Sequence, residues 1–366
     1  MSARIQDGVF ARRRERLARR LRSGRFGMVL VKNPLHLYYL TGFRGSAGAA
    51  VMGGPDCVLW VDPRYIVQAR EEASGIEIRV EKRGLIRAAV RWLERRGMTH
   101  VGFEDTFLTW REHEQLLRLG RGTVQFVPLG DVIHELRTIK DVVEIECIRQ
   151  AGRITAEVFE ELLPDIRPGR RESDLAAEIE FRFRQKGAEG AAFATIVASG
   201  LRSAMPHAGA TSKLLEKDDL VIFDLGAILR GYAADMTRTV FLGRPAKSVH
   251  SLFGAVMEAQ MAAVSVVRAG VRAEEVDRHA RHLLARRDLD RFFTHSTGHG
   301  VGLEIHERPR LAPRQRAVLK AGGVVTVEPA VYVEGTGGIR IEDTLLIRPE
   351  GSENLTPASK DNWFIS

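Results

Sequence analysis

The chain has 366 residues, 44% hydrophobic and 28% charged, which excludes disordered, collagen-like and low-complexity classes and leaves room for about two to three domains. Its two cysteines, Cys57 and Cys147, lie far apart and outside any CxxC or Cys/His motif; this excludes a disulfide framework and fits a reducing compartment. Lysine and arginine outnumber aspartate and glutamate by 55 to 47, a net +8 that on its face points to a polyanionic partner.

The surplus is local. Arg4, Arg12, Arg13, Arg14, Arg16, Arg19, Arg20, Arg22 and Arg25, set against Asp7 and Glu15, place seven of the eight units in residues 1–25. No apolar stretch follows them, so a secretory signal is not expected, and the acids speak against a transit peptide. The spacing predicts an exposed amphipathic helix with Val9, Phe10, Leu17 and Leu21 facing inward. No run of eighteen apolar residues occurs, so no membrane span is expected.

Met28-Val29-Leu30-Val31 reads as a strand. Asn33-Pro34 and an aromatic stretch through Tyr38-Tyr39 follow, then Gly42 to Ser46. A second apolar stretch, Cys57 to Val61, ends at the turn signal Asp62-Pro63. Residues 84–96 read as a helix, because Leu85, Ile86, Ala89, Val90 and Leu93 recur at three- and four-residue spacing. The alternation predicts a compact α/β domain up to about residue 130. A long helix is expected over 138–163, with Ile139, Val142, Ile145, Ile148, Ala151, Ile154, Val158 and Leu162 on one face and Pro164 as its stop. The domain boundary falls near residue 137. Beyond it come a helix over 171–186, loop and strand near 196–200, a hairpin over 220–242, helices over 248–269 and 273–287, and a second hairpin over 324–347. Each hairpin carries one carboxylate late in its first strand and one in its second, a layout that hints at internal duplication.

Those carboxylates carry the chemistry. Asp224 ends the apolar run from Leu220, where an unpaired charge is costly, and Asp235 lies on the returning strand past Gly231. Two close carboxylates repel unless a cation or a proton lies between them; capping by backbone N–H groups or by Arg238 is the plain alternative. Glu328 ends the run from Val324, and Glu342 returns after the glycines 335, 337 and 338. Arg340 is two residues from Glu342 and so on the same face, where its charge can orient or balance the carboxylates. Between the hairpins, His299 stands between Gly298 and Gly300, which let the backbone approach a site closely. Four carboxylates and one imidazole suit hard divalent cations such as manganese or cobalt, with zinc possible. Five ligands suit two ions, and two ions about 3.5–4 Å apart can hold a bridging hydroxide and clamp a tetrahedral intermediate. The residues thus point to a two-metal hydrolase.

At these positions the sequence resembles the pita-bread metallopeptidases of the Xaa-Pro aminopeptidase and Xaa-Pro dipeptidase (prolidase) branch. The matching text is Asp224-Leu-Gly, Gly231-Tyr, Asp235-Met-Thr-Arg-Thr239, Gly298-His299 through His306-Glu307, Val327-Glu328-Pro329 and Gly338 through Thr344. The resemblance spans nearly the whole chain. It implies an α+β protein: a smaller creatinase-type N-terminal α/β domain at 1–137, then a pita-bread catalytic domain at 138–366 that begins near Leu136-Arg137-Thr-Ile-Lys140. It further implies two divalent metal ions, manganese first and cobalt or zinc as alternatives. Asp224 and Asp235 would hold one, His299 and Glu328 the other, with Asp235 and Glu342 bridging.

By the same resemblance Glu328 would accept and donate the proton, while His207 and His306 would contact substrate and stabilise the tetrahedral intermediate. Arg310 would hold the carboxylate of a dipeptide, and Arg340 belongs to the same candidate substrate set. Ala208-Gly209 stand where many relatives have a further His or Pro. The expected substrate is a proline-containing peptide cleaved at the Xaa-Pro bond, as an aminopeptidase first and a dipeptidase second. A metal-free creatinase-like amidinohydrolase and a non-enzymatic binding protein using the basic N-terminus are the more distant alternatives. A cytoplasmic homodimer without nucleic-acid or membrane partners completes the expectation.

Overall fold

The computed structural model describes residues 3–22, 24, 26–54, 56–361 and 364–365, with side chains from residue 8 onward. Arg25 and the side chain of Arg4, both counted in the basic segment, lie outside them. Backbone contacts divide the chain into two compact units, Met1–Leu136 and Arg137–Ser366.

The first unit runs α1 (Ala3–Arg22), β1 (Met28–Val31), α2 (Pro34–Thr41), β2 (Gly48–Met52), β3 (Val58–Val61), α3 (Ile66–Glu72), β4 (Glu77–Val80), α4 (Leu85–Arg95), β5 (His100–Phe103), α5 (Trp110–Leu119) and β6 (Gln125–Pro128), and α6 (Val132–Thr138) follows. Its six strands form one sheet in the order β4-β3-β2-β1-β5-β6. The apolar face of α4 packs Ile86, Val90 and Leu93 against Leu30, Val51, Trp60 and Val101 of that sheet.

In α1, Val9, Leu17 and Leu21 are buried, as their spacing predicts, and Phe10 is half-buried. Its arginines are less free than a solvated face would leave them. Arg13 Nη1 donates to Tyr39 O at 3.0 Å, and Arg14 Nη1 donates to Leu40 O at 2.8 Å and Ser74 O at 3.0 Å. Arg16 Nη2 reaches Leu136 O at 3.1 Å. These carbonyls include the last turn of α2, where a helix presents unsatisfied acceptors and partial negative charge. Four cations of the basic run thus serve helix ends or acids of their own unit, since Arg20 pairs with Glu135.

The second unit continues with α7 (Val142–Leu162), α8 (Glu172–Gln185), β7 (Gly190–Ala191), β8 (Ile196–Ser199), β9 (Leu220–Leu225), β10 (Ala227–Leu229), β11 (Tyr232–Ala233), β12 (Met236–Leu242), α9 (Lys247–Val266), α10 (Ala273–Ala285), β13 (Gly298–Gly300), β14 (Glu307–Leu311), β15 (Val324–Val327), β16 (Ala330–Val333), β17 (Gly337–Arg340), β18 (Asp343–Ile347), β19 (Ser352–Asn354) and β20 (Phe364–Ile365). The long helix expected over 138–163 forms as α7 and begins at Val142, Thr138 being instead the last residue of α6. Asp141 caps Val143 N and Glu144 N, and Glu144 returns the bond to Asp141 N. This capping box starts α7 at Val142 and leaves Ile139 outside its face.

One sheet has the order β20-β12-β9-β8 and another β14-β13-β15-β18-β19. Helices α7 and α8 cover the first through Val158, Phe159, Leu175, Ile179 and Phe183, and α9 and α10 pack on the second through Val256, Ala259, Val276, Ala280 and Leu284. Among the described residues, α9 has the length and composition to cross a membrane, with a mean hydropathy of 1.2, which apolar run length did not reveal. Its inner face belongs to the protein core, and its Gln260 donates to Asp343 Oδ2 at 2.9 Å.

Both expected hairpins are interrupted in the same way. β9 pairs with β12 while β10 and β11 form a short inner hairpin; β15 pairs with β18 while β16 and β17 form another. Asp235 stands one residue before β12 and Glu342 one residue before β18. The breaks turn these carboxylates out of the regular ladders and toward each other.

Candidate metal centre

Reciprocal threonine bonds join the two hairpins. Thr237 Oγ1 donates to Glu342 Oε2 at 2.7 Å, and Thr344 Oγ1 donates to Asp235 O at 2.7 Å. Glu342 N donates to Thr237 O at 3.1 Å. Each threonine lies two residues past a carboxylate of its own hairpin, so each hairpin fixes the acid carried by the other.

His299 approaches from β13. Its flanking glycines answer to neighbouring strands rather than to the site: a Cβ at Gly298 would lie 2.0 Å from Thr326 O, and one at Gly300 2.3 Å from Arg308 O. His299 Nδ1 lies 3.0 Å from Gly300 O, which makes it the protonated nitrogen and leaves Nε2 with a lone pair. That Nε2 stands 3.4 Å from Glu328 Oε1 and 3.6 Å from Asp235 Oδ2. Ligand atoms of Asp235, His299 and Glu342 all lie within 4.8 Å of one another.

Electrostatics make this cluster costly without a cation. Burial and then the charge of Glu342 push the Asp235 carboxyl well up; burial and then Glu328 do the same to Glu342. Burial raises Glu328 to about 7 despite Arg340, and lowers His299 to about 4. Asp224 Oδ1 is buried with no hydrogen-bond partner. An imidazole lone pair facing carboxylate oxygens, beside an orphaned carboxylate oxygen, fits a divalent cation.

The cation expected beside the carboxylates is Arg340, and Arg238 does not cap the aspartates. Arg238 pairs with Asp343 at 2.9 Å and donates to the carbonyls of Thr237, Glu342 and Ala358. Arg340 Nη2 binds Asp224 Oδ2 at 2.6 Å, while its other nitrogens donate to Thr237 Oγ1, Tyr332 OH and Pro206 O. These partners take four of its five N–H donors inside the protein at 3% exposure, so against the expectation that Arg340 contacts substrate, it holds Asp224.

His207, His306 and Arg310 are exposed. The rings of His306 and His299 meet edge-on with centroids 4.4 Å apart. Arg310 pairs directly with His299 across β13 and β14, which puts both side chains on one face, and its charge reaches Glu328. Among the described residues it has no ion-pair partner. His295 was missed in the sequence. Its Nδ1 lies 3.9 Å from Glu328 Oε2 and its Nε2 3.0 Å from Tyr332 OH. The available signal was a second histidine four residues before His299.

With this geometry in place, the similarities are specific. Residues 146–349 match metallopeptidase family M24, and residues 13–139 match the creatinase/prolidase N-terminal domain. The chain belongs to metallopeptidase family M24. It is an enzyme that combines a creatinase-type N-terminal domain with a pita-bread catalytic domain.

A relative named Xaa-Pro dipeptidase, from Pyrococcus horikoshii, is 37% identical over 335 residues, covering 91% of this chain and 93% of that protein. A solved Xaa-Pro dipeptidase from Bacillus anthracis superimposes with a TM-score of 0.94 at 35% identity, over 97% of this chain and 100% of that one. An X-Pro aminopeptidase from Thermotoga maritima gives 0.89 at 34% identity, over 96% and 100%. The family works with divalent metals on peptides.

Proposed function

We propose that the protein is an Xaa-Pro dipeptidase using two divalent metal ions, manganese first and cobalt or zinc as alternatives. Asp224, Asp235, His299, Glu328 and Glu342 would hold them in the domain spanning 138–366. The aminopeptidase reading, ranked first on sequence alone, becomes the second. The observation that carries the order is Arg310: a free guanidinium directly opposite His299, able to take the carboxylate of a C-terminal proline in two parallel hydrogen bonds. The dipeptidase names of the Pyrococcus and Bacillus proteins support the same order.

When bound, the metals would supply a water activated at neutral pH and a positive field at the scissile carbonyl. The protein's own groups do the rest. Glu328 accepts the proton of the attacking water and returns it to the proline nitrogen as the amide bond breaks. His207 and His306, both exposed on loops, the latter with its ring against His299, donate to the carbonyl oxygen as its negative charge develops. Arg340 holds Asp224 in place. An Xaa-Pro amide has no N–H, so no acceptor is required for one. The homodimer and the cytoplasmic location belong to this reading, and for the location the absence of a disulfide at Cys57 and Cys147 fits a reducing compartment.

The test compares an Xaa-Pro dipeptide with an Xaa-Pro-containing tripeptide, each with manganese, cobalt or zinc and after chelation. Cleavage of the dipeptide alone, abolished by chelator, is expected. Preference for the tripeptide would restore the aminopeptidase reading, and no cleavage of either by metal-loaded protein would sink both.

A further inference from the structure

The segment carrying His207 is tied at both ends to one side chain. Glu172, the first residue of α8, has no exposed surface, yet nothing in the reaction uses it. Its Oε1 accepts from Ser199 N at 2.8 Å and Ser199 Oγ at 2.8 Å. Its Oε2 accepts from Thr211 N at 3.0 Å and Thr211 Oγ1 at 2.7 Å. Arg202 Nε lies 3.2 Å from Oε2, and Arg202 Nη2 crosses the loop to Gly209 O at 2.6 Å.

Ser199 opens the segment and Thr211 closes it. Between them, Ser203 Oγ accepts from Gly338 N at 2.9 Å and Pro206 O accepts from Arg340 Nη1 at 3.1 Å. The His207 ring is exposed and makes no hydrogen bond among the described residues. Its position is therefore set by its backbone, and the backbone is set by Glu172 at the ends and Arg340 in the middle.

We propose that Glu172 is a positioning residue for His207, a buried carboxylate that closes the 199–211 loop and so fixes the backbone that presents the imidazole. The proposal rests on the reading that His207 contacts substrate. An ionised carboxylate accepts with both oxygens and presents no donor of its own. The amide of Gln would turn an N–H₂ group toward the donors of either Ser199 or Thr211 and release one end of the loop.

The test is a double-mutant cycle with a hydrogen-exchange readout. Glu172→Gln is expected to lower kcat/KM for an Xaa-Pro dipeptide by about 10–100-fold, the scale of a misplaced catalytic group. Bound metal should be unchanged and exchange faster in 199–211 than elsewhere. In a His207→Ala background the same change should cost less than about twofold, because a group acting through His207 has nothing left to position. Equal losses in both backgrounds, unaltered exchange in the loop, or wild-type kcat/KM would overturn the proposal. If Glu172→Gln does not fold, Thr211→Val removes one hydroxyl donor and should show a smaller loss with the same dependence on His207; equal losses again refute it. Wild-type activity in His207→Ala alone would instead overturn the underlying role of His207.

Discussion

Replacing Glu307 by Gln should weaken the catalytic unit in a way that depends on pH. Glu307 is buried between Arg137 and Lys140: Lys140 Nζ lies 3.0 Å from its Oε2, Arg137 donates to its Oε1, and Arg137 also reaches Glu304 at 2.8 Å. Burial alone would raise this carboxyl, but the charges of Lys140 and then Arg137 hold it at about 2. Against an ordinary 4.5 the linkage amounts to ~3 kcal/mol at pH 7. Because the folded pKa is the lower one, this stability is fully present above about pH 5 and is lost as pH falls toward 2. At pH 3.5 about 2 kcal/mol should remain. Glu307→Gln also leaves the buried Lys140 uncompensated and Arg137 with Glu304 alone, so its cost at pH 7 should reach ~3–5 kcal/mol. Urea unfolding followed by far-ultraviolet circular dichroism measures it, since three of the four tryptophans, Trp60, Trp92 and Trp110, lie in the first unit and would weight fluorescence toward the wrong transition. A gap below about 1 kcal/mol at pH 7, or one unchanged at pH 3.5, would refute the assignment of this carboxylate's stability to Lys140 and Arg137.

Three further outcomes are expected. Arg14→Lys should destabilise the first unit by about 1–3 kcal/mol in tryptophan-monitored unfolding, because one ammonium cannot span the carbonyls of Leu40, Ser74 and Gly75 that the guanidinium binds; equal stability would show those bonds idle. Gly298→Ala should lower metal content and activity together, since its methyl group would strike Thr326 O and displace the strand that carries His299; full metal occupancy would contradict this. Arg310→Ala should reduce kcat/KM for an Xaa-Pro dipeptide by about 10–100-fold and for a tripeptide by less than about threefold; equal losses would remove Arg310 from carboxylate recognition.

The sequence disclosed elements whose signal is local and periodic. The face of α4, the inward residues of α1 and the apolar runs leading to Asp224 and Glu328 all read directly. The long helix was legible but starts at Val142 rather than at 138, because hydrophobic period continued through the capping box at Asp141, and the cap decides where a helix begins. Arg340 and Arg238 illustrate a different limit. Both sit near acids in the sequence, but pairing depends on which face each strand presents after the hairpins break: Arg340 meets Asp224 from the other hairpin, and Arg238 meets Asp343. Glu172 was equally hidden. A glutamate opening a helix looks like an ordinary first-turn acid, and only the chain's return from 199 to 211 gives it five donors.

The opening excess of positive charge therefore resolves into two opposite situations. In the first unit, Arg13, Arg14 and Arg16 spend their charge on backbone carbonyls, which are partial dipoles and leave no anion to find. In the second, Asp224, Asp235, Glu328 and Glu342 converge with Arg340 as the one guanidinium bound to them, leaving three negative charges unmatched when all are ionised. Burial makes that imbalance expensive. A single divalent ion falls one charge short of correcting it; two overshoot by one and leave the centre able to accept an anion. By charge alone the two loadings miss neutrality by the same single unit, and only the two-ion centre can complete the balance by taking up an anion. Elemental analysis of protein saturated with manganese should give two per chain, falling below two in Asp235→Asn. One ion in the fully active wild-type protein would show that protons, not a second metal, neutralise the remaining carboxylates.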